Sequence, residues 1–305
     1  MGRNELSTKV QKLKDKKNAI ILAHNYQLPE IQDVADFVGD SLDLAQKATK
    51  TSADYIVFCG VNFMAESAKI LNPDKIVIHP DLNSRCPMAD MVDVESLSWL
   101  QKDHPDAMTV AYVNTTADVK AVSDVCCTSS NAVKVIKNLA AKEIIFIPDR
   151  NLGLYVKRFI KDKEIILWPG MCPTHHDIKK EDILNLKKQH PDAEIMVHPE
   201  CQPEVIDIAD YVFSTNGMVK HAAQSKSKEF IVGTEKDLCY RLKKENPTKV
   251  FYPVSTAICP NMKKITIDRV VKSLETLEPK LELPEEVIKK AKKPLTRMME
   301  IGRGD

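Results

Sequence analysis

The sequence has almost no net charge, no long hydrophobic run and no low-complexity linker. Its 44 Lys and Arg residues nearly balance 43 Asp and Glu residues, and the formal net charge of +1 gives no electrostatic reason to expect nucleic acid or an anionic membrane as the main partner. No apolar run approaches the roughly 20 residues that a membrane span needs. The opening residues, MGRNELSTKVQKLK, contain no apolar core of a signal peptide, and Leu6 does not fit a myristoylation signal. We therefore expect a cytoplasmic protein that binds neither nucleic acid nor a membrane.

The composition is that of an ordinary globular protein that contains eight cysteines. The 305 residues are 43% hydrophobic and 29% charged, which suffices for two or three domains with their own cores. Because disulfides rarely persist in a reducing cytosol, intracellular cysteine groupings more often indicate a metal, a cluster or catalysis. For five cysteines we prefer the ordinary interpretation as small buried apolar side chains: Cys59, Cys126, Cys127, Cys201 and Cys239.

The other three cysteines each precede a proline and recur at a nearly constant interval. The Cys-Pro steps begin at Cys86, Cys172 and Cys259, so the intervals are 86 and 87 residues. With eight Cys and 17 Pro in 305 residues, chance predicts fewer than one such step. A fixed period indicates internal repetition.

Further features repeat in the same register. A polar residue at the end of the first predicted strand of each copy is followed 17 residues later by a hydroxyl residue: His24 by Ser41, Tyr112 by Ser129, and His198 by Thr215. An aspartate stands five residues before each hydroxyl, and we interpret these three as structural: Asp36, Asp124 and Asp210. The sequence therefore predicts a triplicated unit.

Within each copy, short apolar runs alternate with segments of helical spacing. This alternation predicts parallel strands joined by crossover helices. We therefore predict an α/β fold of three homologous three-layer αβα domains, each with a four-stranded parallel sheet, arranged about a pseudo-threefold axis. The expected domains are residues 1–105, 106–192 and 193–305. The third domain carries a helical tail, which is a candidate to pack on the first domain. We interpret the Lys-rich part of this tail as a solvated helix face; its lysines are Lys289, Lys290, Lys292 and Lys293.

The repeated polar residues all lie at the predicted carboxyl ends of strands, where parallel α/β units bind ligands. If the three copies face one centre, Cys86, Cys172 and Cys259 meet there. Three distant thiolates differ from zinc fingers and ferredoxins, whose ligands are local in sequence, and they would leave one coordination position open for a substrate. The alternative is that each Cys-Pro step only ends a loop.

The sequence resembles the quinolinate synthase family from about residue 18 to residue 280. The resemblance rests on an ordered set of motifs: Ala23-His24-Asn25-Tyr26, Gly39-Asp40-Ser41, Cys86-Pro87-Met88-Ala89, Tyr112-Val113-Asn114, Gly170-Met171-Cys172-Pro173-Thr174-His175, His198-Pro199-Glu200, Ser214-Thr215-Asn216-Gly217, Gly233-Thr234-Glu235 and Cys259-Pro260-Asn261-Met262. It implies an enzyme of NAD biosynthesis that condenses iminoaspartate with dihydroxyacetone phosphate to give quinolinate. It also implies a [4Fe-4S] cluster held by Cys86, Cys172 and Cys259, and functional coupling to an enzyme that produces iminoaspartate.

The same resemblance implies a set of substrate-binding residues: His24, Tyr26, Ser41, Tyr112, Val113, Asn114, Ser129, His198, Pro199, Glu200 and Thr215. The residue types fit the chemistry, because hydroxyl groups at strand-to-helix turns bind anions beside backbone N–H groups. Glu200 is the candidate base, with His24, His198 and Tyr26 as proton donors or orienting groups. Glu200 could instead be an ordinary carboxylate at a helix N-terminus, and His175 either contacts the site or caps its helix.

Two rival functions remain open at this point. One is the diphthamide-forming type of enzyme, which also takes one Cys from each of three α/β domains to a [4Fe-4S] cluster but uses S-adenosylmethionine. The His-Pro-Glu and Gly-Met-Cys-Pro-Thr-His motifs favour quinolinate synthase. The other is a non-catalytic iron–sulfur sensor, which would not need the polar strand ends around the predicted site.

Overall fold

Three four-stranded sheets, all parallel, form the framework of the protein. The computed structural model describes residues 3–304. The strands are β1 Ala19–His24, β2 Phe37–Gly39, β3 Tyr55–Cys59 and β4 Ile76–Ile78 in the first sheet; β5 Met108–Tyr112, β6 Val125–Cys127, β7 Glu143–Ile147 and β8 Glu164–Leu167 in the second; and β9 Glu194–Val197, β10 Tyr211–Val212, β11 Glu229–Gly233 and β12 Val250–Pro253 in the third. All three sheets share one strand order, which in the first is β2-β1-β3-β4.

Helices connect successive strands and flank the sheets. They are α1 Arg3–Lys17, α2 Pro29–Val34, α3 Ser41–Lys50, α4 Asn62–Leu71, α5 Val94–Asp103, α6 Ala117–Ala121, α7 Ala132–Lys137, α8 Arg150–Lys157, α9 Pro173–His176, α10 Lys180–Gln189, α11 Pro203–Ile206, α12 Thr215–Gln224, α13 Leu238–Glu245, α14 Ile267–Thr276 and α15 Glu285–Ile301, with short 3₁₀ turns at Ala89–Met91 and Met262–Lys264. The predicted fold class of three αβα units is therefore confirmed. The pseudo-threefold axis and the domain boundaries stay predictions.

The three repeated aspartates clamp the first strand of each sheet to the segment that precedes the second. Asp36 accepts a hydrogen bond from the backbone N–H of Ile21 at 2.7 Å, and its own N–H donates to the Ile21 carbonyl at 2.9 Å. Asp124 makes the same pair of bonds with Thr109, and Asp210 makes it with Ile195. A carboxylate at this register therefore fixes strand pairing, as the structural interpretation expected.

The strand order places a topological switch point between the first and third strands of each sheet. The chain leaves the first strand toward one edge and returns to pair on its other side, so the loops after these two strands diverge and leave a crevice at their carboxyl ends. The predicted polar residues lie at the carboxyl ends of the first two strands of each sheet: His24, Tyr112 and His198 at the ends of β1, β5 and β9, and Ser41, Ser129 and Thr215 after β2, β6 and β10. The fold thus supplies a crevice where the repeated polar residues lie.

The last two helices connect different parts of the molecule. Helix α14 packs on α1 through Val270, Val271 and Leu274, in a core shared with Val10 and Ile21 of the first unit. Helix α15 contacts α4 of the first unit and α6 of the second, and it buries Ala291, Leu295 and Met298. The four lysines of its Lys-rich part are exposed, as predicted. No helix within residues 3–304 is long and apolar enough to cross a membrane.

Candidate active site

A helical turn follows each Cys-Pro step, and the three cysteines share one backbone contact. Cys172 is the N-cap of α9, whose first residue is Pro173, a position that suits the fixed φ of proline and its missing N–H. Cys86 and Cys259 each lie three residues before a 3₁₀ turn. The backbone N–H three residues after each cysteine lies against its sulfur, and this contact partly opposes the increase in thiol pKa that burial causes. The loops therefore present sulfur atoms already paired with an amide donor.

The three sulfurs line one pocket, which measures about 640 Å³ with the open solvent at its mouth. Burial raises the pKa of all three thiols, that of Cys86 to about 12, and the negative charges of neighbouring thiols and carboxylates add to the effect. Thiolates crowded in this way need a cation to be stable, and soft sulfur donors select iron–sulfur clusters, zinc or copper(I). The donor set therefore fits an iron–sulfur group.

Two of the cysteine loops are tied to acidic residues that follow the third strand of their sheets. Asp149 accepts from the backbone N–H of Cys172 at 3.1 Å, and Glu235 accepts from that of Cys259 at 3.3 Å. Gly170 permits the approach of the Cys172 loop, because a Cβ there would lie 2.6 Å from the Pro148 carbonyl oxygen. These contacts hold the sulfurs of the second and third units in place.

Glu200 and His175 form the centre of the site. Glu200 Oε2 lies 2.6 Å from His175 Nδ1, and both side chains are almost wholly buried. The same nitrogen lies 3.1 Å from Cys172 Sγ, so a single N–H faces a carboxylate and a sulfur. The ligand atoms of these three residues lie within 4.8 Å of one another, close enough to hold a metal ion. The short His175–Glu200 contact is a hydrogen bond from the imidazole Nδ1–H to the carboxylate.

A chain of hydrogen bonds leads from His175 to Tyr26. His175 Nε2 lies 2.8 Å from Thr234 Oγ1, which lies 2.6 Å from the Tyr26 hydroxyl. With Nδ1 protonated toward Glu200, Nε2 accepts from Thr234, and Thr234 accepts from Tyr26. Burial and the charge of Glu200 raise the pKa of Tyr26 well above its usual value, so the phenol stays protonated.

A second chain reaches Glu200 through His198. His198 Nε2 lies 3.1 Å from Ser129 Oγ, and His198 Nδ1 lies 3.4 Å from Glu200 Oε2. Burial opposes ionisation of Glu200, but the charges of His175 and His198 more than offset it and hold its pKa well below the usual range. The carboxylate is therefore charged at neutral pH and stabilises a proton on either imidazole.

His24 occupies the position in the first unit that His198 occupies in the third. The backbone N–H of Tyr26 donates to His24 Nδ1 at 3.2 Å, so the other nitrogen, Nε2, carries the proton. Burial lowers the pKa of His24 to about 3, with smaller and partly opposing effects of Asp40, His198 and Glu200. His24 is thus a neutral imidazole that offers an N–H donor.

The side chains that line the pocket alternate with those that do not. His24 and Tyr26, Tyr112 and Asn114, and His198 and Glu200 line it, whereas Asn25 and Val113 do not and Pro199 lines a neighbouring pocket. This is the period of two of an extended chain. Val113 and Pro199 stay predicted substrate-binding residues; because their side chains do not line this pocket, the contact we expect from them is through the backbone.

The remaining predicted residues meet in the same place. Ser41, Ser129 and Thr215 line the pocket with Tyr112 and Asn114, and Thr215 accepts a hydrogen bond from Asn25 at 2.7 Å. Within residues 3–304, the buried atoms Asn114 Oδ1 and Glu200 Oε1 have no hydrogen-bond partner, as expected for groups that bind a ligand. Burial and Glu200 raise the pKa of Tyr112, so this phenol also stays protonated.

Several residues of this centre were not assigned to the site from the sequence, chiefly His175, Asp149 and Thr234. His175 and Thr234 nevertheless lie inside motifs of the family resemblance. Of the five cysteines interpreted as core residues, four are buried and Cys239 is half-buried, and none of them lines the pocket.

Three parallel α/β units bring thiols, imidazoles and a carboxylate into one pocket, an arrangement typical of a metal- or cluster-dependent enzyme. Known proteins of one family are similar to the chain over nearly its whole length. Residues 8–300 match the family model described as "Quinolinate synthetase A protein". A quinolinate synthase of Thermodesulfovibrio yellowstonii is 55% identical over 97% of this chain and 98% of its own length. Those of Sulfurihydrogenibium sp. and Methanosarcina barkeri are 52% and 50% identical, each over 99% of this chain and 100% and 99% of their own lengths. The chain belongs to the quinolinate synthase family.

Proposed function

We propose that this protein condenses iminoaspartate with dihydroxyacetone phosphate to form quinolinate, phosphate and two molecules of water, in the de novo biosynthesis of NAD. The observation that supports this most is the convergence of three thiols and the polar strand ends of all three units on one pocket. The reaction forms one C–C and one C–N bond, expels phosphate and needs no external oxidant. It requires anion binding and repeated proton transfer, and the pocket offers groups for both.

We propose a [4Fe-4S] cluster as the resident group, held by Cys86, Cys172 and Cys259. With three protein ligands for four irons, one iron would be open to substrate, and the cluster would supply Lewis-acid chemistry there. The geometry that supports this assignment is the shared pocket and the amide donor at each sulfur. The carboxylates of Asp149 and Glu235 would keep the Cys172 and Cys259 loops in position.

The hydroxyl groups would bind the anionic parts of the substrates. Ser41 and Thr215 are the first residues of α3 and α12, where unpaired backbone N–H groups and the helix dipole favour negative charge. Ser129 lies in the corresponding turn of the second unit, and Asn114 and His24 add donors. This arrangement binds a dicarboxylate and a phosphate without arginine in the pocket.

The two chains that meet at Glu200 would move the protons. His198, stabilised by Glu200, takes or returns a proton through Nε2 beside Ser129. Tyr26 delivers a proton to a leaving oxygen when His175 is doubly protonated: Thr234 then passes its proton to Tyr26, His175 Nε2–H passes its proton to Thr234, and Nδ1–H stays on Glu200. The low pKa of Glu200 makes it a weak base by itself, so its proposed role is to stabilise the protonated imidazoles.

The remaining features of the proposal follow from the substrates and the repeats. Iminoaspartate is an imine that water hydrolyses, which favours coupling to a nearby enzyme that produces it. A cytoplasmic location suits both substrates. We also propose residues 1–105, 106–192 and 193–305 as the three units, related by a pseudo-threefold axis.

The test is anaerobic reconstitution with iron and sulfide, followed by addition of both substrates and measurement of quinolinate. Cys172→Ala should lose cluster and product together, whereas Cys239→Ala, a half-buried cysteine outside the pocket, should keep both. An intact cluster without quinolinate would refute the proposed reaction. Cleavage of S-adenosylmethionine in the same preparation would then favour the diphthamide-type activity, and its absence a sensor.

A further inference from the structure

Arg303 joins the first and third units at the edge of the pocket. Its guanidinium donates to both carboxylate oxygens of Asp40 at 2.8 and 3.2 Å and to Asp43 at 3.0 Å. It also donates to Ser214 Oγ at 3.1 Å. Asp40 and Ser214 are 6% and 1% exposed, so the contacts lie in a largely buried interface between units.

The two residues that Arg303 bridges cap the helices that carry the substrate hydroxyls. Asp40 is the N-cap of α3 and accepts from the Asp43 N–H, and the next residue is Ser41. Ser214 is the N-cap of α12 and accepts from the Gly217 N–H, and the next residue is Thr215. Arg303 thus fixes the distance between two turns whose hydroxyl groups face the same pocket.

The backbone around Arg303 is held by the third hydroxyl turn. The N–H of Gly304 donates to the Ser130 carbonyl at 2.9 Å, next to Ser129. Asn131 donates to the Gly302 carbonyl at 3.0 Å, and Lys134 donates to the Arg303 carbonyl at 2.9 Å. Residues 302–304 therefore contact the residues adjacent to all three substrate hydroxyls.

A polar network extends the same connection to Thr215. Asn216 donates to the second oxygen of Asp43. Arg241 donates to Asn216 at 3.3 Å and to Asn25 at 2.6 Å, and Asn25 donates to Thr215 Oγ1 at 2.7 Å. The position of the Thr215 hydroxyl is thereby linked to the carboxylates that Arg303 neutralises.

We propose that Arg303 is a positioning residue for substrate binding: it holds the Ser41 and Thr215 turns at the separation that an anionic substrate bridges, and it neutralises Asp40 and Asp43 beside that anion. The proposal rests on the proposed function. The bidentate contact with Asp40 and the single hydrogen bond to Asp43 are charge-assisted and among the stronger hydrogen bonds in proteins, so their loss should be measurable. Both effects of removing Arg303 weaken anion binding.

The experiment compares Arg303→Gln, Arg303→Lys and the matched control Arg297→Gln in the reconstituted enzyme. Arg297 lies on α15 and donates to the Asp124 carbonyl, away from the capping residues. We expect Arg303→Gln to raise KM for at least one substrate about tenfold or more, with kcat changed less than threefold and iron content unchanged. Arg303→Lys, which keeps the charge, should recover part of the loss, and Arg297→Gln should behave as wild type.

Hydrogen exchange without substrate gives a readout that does not depend on activity. Arg303→Gln should speed exchange in peptides that contain the Asp43 and Gly217 amides, and Arg297→Gln should not. If wild type makes quinolinate but Arg303→Gln retains both KM values, or if KM rises only together with lost iron, the positioning role is refuted. If wild type makes no quinolinate, the proposed function fails, and unchanged exchange in Arg303→Gln would separately remove the link between the two turns.

Discussion

Replacing Glu200 with glutamine tests the centre of the site most directly. The change keeps the size of the side chain but removes the charge that His175 and His198 share. The amide still accepts a hydrogen bond through its oxygen, yet it no longer favours a proton on either imidazole. Both proton-transfer chains should therefore be impaired at once.

The expected loss follows from the two contact distances. The 2.6 Å contact with His175 is a full charge-assisted hydrogen bond, worth about 2 kcal/mol, and the 3.4 Å contact with His198 adds about 1 kcal/mol. Together these amount to about 3 kcal/mol, or roughly a hundredfold decrease in kcat. Because the pKa of Glu200 is held low, the carboxylate stays charged as pH falls toward that low pKa, and it should not cause an activity loss near neutral pH.

The assay is steady-state quinolinate formation by the reconstituted enzyme, with iron content measured on the same samples. Glu66→Gln is the matched control, because Glu66 is another buried glutamate but lies in α4 outside the pocket and accepts from the Ala117 N–H. A Glu200→Gln enzyme with normal iron content and a kcat within threefold of wild type would refute the assigned role. Equal losses in both variants would point to general damage from removing a buried carboxylate.

Three further predictions concern stability and cluster retention. His24 has a pKa of about 3 in the folded protein against 6.5 in the unfolded protein, so only the unfolded state takes up this proton as pH falls below 6.5. The free energy of unfolding should therefore decrease by up to about 1.4 kcal/mol per pH unit down to pH 3. In urea titrations at several pH values, His24→Gln should show a flatter dependence on pH. Asp124→Ala should lower the free energy of unfolding by about 1–3 kcal/mol at pH 7, since the Thr109 N–H loses its carboxylate acceptor, and an unchanged urea midpoint would contradict the clamp. Asp149→Ala should release iron faster than wild type in a chelator competition followed by visible absorption, because the Cys172 N–H loses its hydrogen-bond acceptor; equal release rates would contradict this.

The regular parts of the fold were predictable because they repeat. The 86- and 87-residue period predicts three units, and the constant offset from strand end to hydroxyl predicts that Ser41, Ser129 and Thr215 lie together, as they do in one pocket. Because equivalent residues of a repeat occupy equivalent positions in each sheet, a register that repeats in the sequence also predicts where those residues lie in the structure. The three clamping aspartates were interpreted correctly for the same reason.

The parts that escaped prediction depend on contacts without a periodic signal. His175 could equally have capped its helix, and only the approach of the third unit brings Thr234 and Glu200 to its two nitrogens. Arg303 lies 263 residues from Asp40 along the chain, and nothing in the local sequence connects them. Val113 and Pro199 stay predictions: the motifs include every residue of an extended segment, whereas only alternate side chains line the pocket.

The alternation at the three strand ends also bears on how such a site could arise. Identical subunits of a trimer must carry the same residue at every equivalent position, whereas three repeats in one polypeptide can diverge independently. Here every copy has a hydroxyl residue at one pocket position, whereas the second pocket-lining position of each strand end is Tyr26, Asn114 or Glu200. Three repeats in one polypeptide can therefore place a phenol, an amide and a carboxylate at equivalent positions of a single pocket, which identical subunits related by symmetry could not do.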